Sequence, residues 1–188
     1  MSLGATAVSD LIDALAARTP APGGGAAAAI AAALGCAAGA MATRYTSGAK
    51  YAAVETAAQQ LGDVLVLMAR ECLRLSDADA DAYAAVTAAR KTKDATATAL
   101  AEQRAGAIPA SLLALCAKYA AELARFISTC NPYLVSDVKV GIHLLAGAGR
   151  AAWQTLLVNQ PNQEQRTAAA NYLEILAKAE REALEPSS

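Results

Sequence analysis

Residues 19–43 read TPAPGGGAAAAIAAALGCAAGAMAT, and this stretch decides the fold. Between positions 23 and 43 no side chain is charged, and most residues are Ala or Gly. Such a run is helix rather than strand, because alanine heads the helix scale and no alternation of β-branched residues competes. The proline-stiffened, glycine-rich lead-in opens the helix and leaves its first backbone N–H groups unpaired. Those groups can hold an anionic or polar ligand at the mouth of a bundle. A plain helix start with a flexible lead-in accounts for the same residues. Behind the turn the helix is narrow, and Gly35 and Gly39, spaced as GxxxG, allow another helix to cross at short distance.

An uncharged run of this length raises the question of a membrane span. Alanine and glycine contribute little apolar area, bulky side chains are nearly absent and no second span follows, so the expected place is the centre of a bundle. A signal peptide is not expected either, since the run begins late and its upstream flank is amphipathic and acidic. The 188 residues suffice for one domain, taken as 1–188, with a sizeable core. Hydrophobic residues make up 55% but aromatics only 4%, so the core must gain its area from close helix contacts, and often from a partner subunit. A net charge of -1 without a basic patch disfavours nucleic acid. Cys36, Cys72, Cys116 and Cys130 have no metal spacing and lie in apolar runs, which suits buried free thiols and a reducing cytoplasm.

Working outward, every long segment reads as helix. A short one is expected at 8–17 with Ser9 as N-cap, then the central helix at 25–45, then a turn at 46–48. In the long pattern at 50–90, Val54, Ala58, Leu61, Leu65, Met68, Cys72 and Leu75 step by fours and threes, the spacing of a bundle seam. Forty residues of helix span ~60 Å. The charged residues 90–94 end that element. A helix at 96–129 contains Pro109, which should kink or divide it. Further helices are expected at 134–159 and 163–184, the former capped by Ser136 or Asp137. The fold class is therefore all-α, an elongated up-and-down bundle with one very long helix.

The seam carries an anomaly. Four residues beyond Leu75 it reaches Asp79, and a carboxylate there must be paired, hydrogen-bonded or protonated if it is buried, or else the seam frays toward solvent. Tyr83 shares its face, while Asp77 and Asp81 fall to either side. A calcium loop fails, because its sixth and twelfth positions are Ala82 and Ala88. The segment 131–137, NPYLVSD, gathers Asn131, Ser136 and Asp137 around a proline turn, a dense set suited to positioning a heterocycle or simply to capping. His143, the single histidine, reads as a core or interface residue. No P-loop, dinucleotide fingerprint or nucleophile elbow is present, and no metal site is expected.

Taken together, LAARTPAPGGG (15–25), TSGAKY (46–51), DADAY (79–83) and NPYLVSD (131–137) resemble the formimidoyltetrahydrofolate cyclodeaminase / methenyltetrahydrofolate cyclohydrolase family over roughly 9–160. The resemblance implies an all-helical, homodimeric enzyme with no cofactor. Such an enzyme hydrolyses methenyltetrahydrofolate to 10-formyltetrahydrofolate, or deaminates formimidoyltetrahydrofolate to the methenyl form. It implies a folate pocket lined by Gly23, Gly24 and Gly25 together with Asn131 and Ser136, and Asp79 or Asp137 as the acid–base group. Tyr83 stands beside Asp79, and Lys50 would suit the anionic glutamate tail. The segments must then meet at one cleft, within a subunit or across a dimer. Arg44, Ala49, Thr155 and Leu157 stand where the family commonly has Asn, Lys, Asn and Arg, and the stretch between Asp94 and Pro109 is several residues short. Those departures keep open a non-catalytic helical dimer or folate-binding protein.

Overall fold

The computed structural model describes residues 2–185. Within them are six α-helices and no strand: α1 (Val8–Ala16), α2 (Gly24–Arg44), α3 (Glu55–Thr92), α4 (Ala95–Phe126), α5 (Val135–Val158) and α6 (Gln163–Leu184). The long seam is realised in α3, whose 38 residues extend ~57 Å. Ala58, Leu65, Cys72 and Leu75 from that seam are buried.

Helix α2 is the hub, packed between α3 and α5 and touching α4. It is apolar on nearly every side, as a helix surrounded by others must be. Although its length and composition would allow it to cross a membrane, as would those of residues 95–129, most of α2 is covered by its neighbours. Small residues set the distances. A Cβ on Gly35 would stand 3.0 Å from the Gly141 carbonyl of α5, and one on Gly39 2.7 Å from a Leu123 methyl of α4. The GxxxG pair is thus where α5 and α4 close on α2, and Gly141 completes the crossing from the other side.

The chain runs up and down. Thr43 lies against Gly62 and Gly25 against Asp79, so α2 and α3 are antiparallel. Helix α4 returns beside α3, α5 runs back beside α2, and α6 covers α4 and α5.

Several helix ends differ from expectation. Ser9 lies inside α1, whose N-cap is Ala7, and Ser136 and Asp137 lie inside the first turn of α5, whose N-cap is Leu134. Asn131 instead caps a short 3-10 turn, Pro132–Leu134, by accepting from the Tyr133 N–H at 3.1 Å. That turn feeds directly into α5, which removes the need for a side-chain cap. Residues 90–92 continue α3, and the stop is Lys93 in the left-handed conformation (φ 61). Asp94 then caps α4 through the N–H groups of Thr96 (2.8 Å) and Ala97 (3.0 Å). Pro109 is buried within α4 and does not divide it. His143 is on the surface of α5, 3.3 Å from Glu180 of α6, which also pairs with Arg150.

Candidate active site

The glycine turn enters α2 at one end of the bundle. Gly23 is the N-cap and has no side chain to offer. The carboxylate that meets this helix start comes from α3. Asp79 points at Gly25 so closely that a Cβ on Gly25 would stand 2.6 Å from its Cγ and 2.7 Å from Oδ2. Gly25 is glycine because Asp79 occupies the space. A backbone hydrogen bond from Ala26 favours the ionised form, but burial outweighs it and raises the Asp79 pKa above the usual 3.8. The helix start anticipated as a ligand cradle therefore receives, in part, the chain's own carboxylate.

A cleft of about 570 Å³ opens beside this pair. Its floor is the 20–25 lead-in, with Gly24 exposed, Gly23 partly so and Gly25 buried beneath them. One wall is the α3 face bearing Asp79, Tyr83, Val86 and Arg90. Glu102 and Ala105 of α4 form the opposite side, and Thr155, Asn159 and Gln160 from the end of α5 close the back. The volume suits a drug-sized ligand. Asp79 can exchange a proton or stabilise a neighbouring positive charge from a partly dry position. Tyr83, 53% exposed, offers a ring face.

The other predicted residues lie elsewhere in the subunit. The Asn131 N–H donates to Thr46 Oγ1 (3.0 Å), and its side-chain amide donates to the Tyr45 carbonyl (3.0 Å), which fastens the 131–137 turn to the C-terminal end of α2. Ser136 and Asp137 follow in the first turn of α5 and touch each other at 3.4 Å. Lys50 is in the 3-10 turn Ala49–Tyr51, also beyond that end, and is exposed. The 21 residues of α2 place the two groups ~31 Å apart. Gly23, Gly24, Gly25, Asp79 and Tyr83 share one cleft, and within a single subunit Lys50, Asn131, Ser136 and Asp137 do not join them.

Two lining residues escaped the sequence reading. Arg90 and Glu102 form an ion pair across the cleft mouth at 2.8 Å. The signal was available: Arg90 is eleven residues, about three turns, past Asp79 on the same face. The cysteines take no part. Cys36, Cys72 and Cys116 are fully buried, and the pKa of Cys36 is raised by a thiol contact with Cys72 and by burial.

Antiparallel helices around an alanine-rich hub, with a glycine turn against a half-buried aspartate, define an all-helical domain with a cleft at one end. The chain belongs to the formiminotransferase-cyclodeaminase family, whose profile matches residues 7–178. Its fold is that of formiminotetrahydrofolate cyclodeaminase from Thermotoga maritima, with a TM-score of 0.87 over 96% of this chain and 95% of that one at 21% identity. Comparison with curated proteins returns no match.

Proposed function

We propose that the protein acts on a one-carbon tetrahydrofolate, as a methenyltetrahydrofolate cyclohydrolase or a formimidoyltetrahydrofolate cyclodeaminase. The observation that carries this reading is Asp79, a carboxyl group with a raised pKa set against a glycine turn in a cleft of folate size. In the hydrolytic direction the water oxygen bonds to the cationic methenyl carbon. One water proton passes to the carboxylate and on to N5 as the N5–carbon bond breaks, and the carbinol hydroxyl gives up the other to solvent as its oxygen becomes the carbonyl, leaving the formyl group on N10. In the deaminating direction N10 attacks the carbon of the protonated formimidoyl (amidinium) group and loses its proton, while the departing amine gains one and leaves as ammonia. A half-dry aspartate serves either transfer. The electrophile belongs to the substrate, so the chemistry asks for no resident cofactor or metal. The setting is cytoplasmic, with neither nucleic acid nor membrane as partner.

The reading includes a homodimer with a composite site. Leu34, the midpoint of α2, is 58% exposed, and Ala37, Met41 and Tyr45 continue an exposed stripe toward its C-terminal end. An apolar groove lined by Val66, Ala69 and Leu73 of α3 borders that stripe. A two-fold axis at Leu34 pairs each surface with itself. It also carries the Asn131, Ser136, Asp137 and Lys50 end of one copy toward the Gly25–Asp79 end of the other, answering the ~31 Å separation within a subunit.

The test follows loss of methenyltetrahydrofolate absorbance above the spontaneous rate. Asp79→Asn and Asp137→Asn should each lose about 100-fold or more. Mixing and re-dimerising the two inactive variants should restore about one quarter of wild-type activity, because each heterodimer regains one site with both aspartates. No restoration would overturn the composite site. Wild-type protein that binds the folate without accelerating its loss would favour the non-catalytic dimer.

A further inference from the structure

We infer that Arg90 is the anchor for the substrate's terminal carboxylate, and that Glu102 is an internal carboxylate which holds the guanidinium until substrate displaces it. The inference rests on the folate reading above and adds a subsite to it.

The α3 wall of the cleft is polarised. Asp79 stands at one end, Tyr83 and Val86 follow, and Arg90 stands ~16 Å further along the same face. A ligand lying on this wall meets a carboxylate, then an aromatic and an apolar side chain, then a guanidinium. The matching molecule has an electron-poor head, an aryl middle and an anionic tail. Among the described residues lining the cleft, Arg90 is the only cation.

The pairing of Arg90 suits exchange. Its Nε (3.2 Å) and Nη2 (2.8 Å) both donate to the single oxygen Oε1 of Glu102. Nη1 is not part of the pair, so the guanidinium retains donors for a second, bidentate carboxylate. Both side chains are well exposed, at 66% and 44%, and an ion pair in that setting is weak and readily exchanged. Glu102 comes from α4, so its release opens the mouth between α3 and α4 without disturbing Asp79. Lys50, the residue suggested by family resemblance for the tail, lies beyond the far end of α2 in the same subunit and would approach this cleft only from the other copy of the dimer, so it is the rival anchor that the experiment tests.

The experiment compares methenyltetrahydrofolate with the same compound lacking its glutamate, methenyltetrahydropteroate, reading KM and kcat, or Kd by calorimetry. Arg90→Gln should raise KM for the full substrate about 10- to 100-fold, leave KM for the truncated one unchanged, and keep kcat within about twofold. Glu102→Gln should lower KM for the full substrate only, a direction that a merely structural ion pair would not produce. Both variants should melt within a few degrees of wild type, given the exposure of the pair.

The anchor is overturned if Arg90→Gln affects both substrates equally or neither. It is also overturned if Lys50→Gln, rather than Arg90→Gln, abolishes the preference for the glutamate. Wild-type protein that neither binds nor converts either folate overturns the functional reading itself. That result is distinct from a working enzyme whose variants fail to discriminate.

Discussion

Gly25→Ala isolates the contact on which the chemistry depends. An added Cβ would stand 2.6 Å from Asp79 Cγ and 2.7 Å from Oδ2, whereas carbon contacts settle near ~3.5–4.0 Å. The carboxyl group must therefore withdraw by ~1 Å, which breaks its hydrogen bond from Ala26. A hydrogen bond to a charged acceptor is worth ~1.5–3 kcal/mol, and replacing helical glycine with alanine returns up to ~1 kcal/mol. The net cost is ~1 kcal/mol, a fall in Tm of ~2–4 °C for a chain of this size. Gly24→Ala, whose Cβ meets nothing within 4 Å, gives the alanine gain alone and should raise Tm. Catalysis is far more sensitive than stability, since a ~1 Å misplacement of a reacting group costs ~100-fold. We expect Gly25→Ala to remain folded by circular dichroism while kcat/KM for methenyltetrahydrofolate falls by ~100-fold or more. A folded variant that keeps activity within about threefold would refute the assignment of Asp79.

Two further outcomes follow from the same geometry. Burial raises the Asp79 pKa, so the native state binds this proton more tightly than the unfolded chain does. Its stabilising contribution is then complete below the ordinary 3.8 and is lost as pH climbs through the folded value. Asp79→Asn should accordingly be more heat-stable than wild type at about pH 7, with the advantage gone near about pH 3, as read by calorimetry. Leu34→Glu places a charge at the centre of the exposed α2 stripe and should halve the mass seen by light scattering and abolish turnover. Wild-type protein that already runs as an active monomer would remove the composite site.

Legibility in the sequence followed physical range. Features set by neighbours along the chain could be read directly, such as α6 at Gln163–Leu184, the apolar steps of α3 and the GxxxG spacing of Gly35 and Gly39, which marks a crossing without naming its partners. Asp79 was visible as a polar residue in an apolar seam, and its packing on Gly25 explains both residues at once. Features set by contacts distant in sequence were not visible. Ser136 and Asp137 looked like caps because nothing local reveals that the 3-10 turn at Pro132–Leu134 leads straight into the helix. The distance between the 131–137 turn and the glycine turn depends on both packing at opposite ends of α2, a fact of topology rather than motif. Arg90 was absorbed into a charged break because its partner, Glu102, is on another helix.

Pro109 lets α4 continue, yet it has no N–H to give to the carbonyl four residues earlier. That carbonyl is Ala105, on the cleft wall opposite Asp79. The carbonyl therefore lacks its usual helical donor, so the hydrogen-bond ladder of α4 is interrupted one turn before Pro109, at the level of the cleft. The long rod that walls the cleft is thus continuous in its path but not in its ladder.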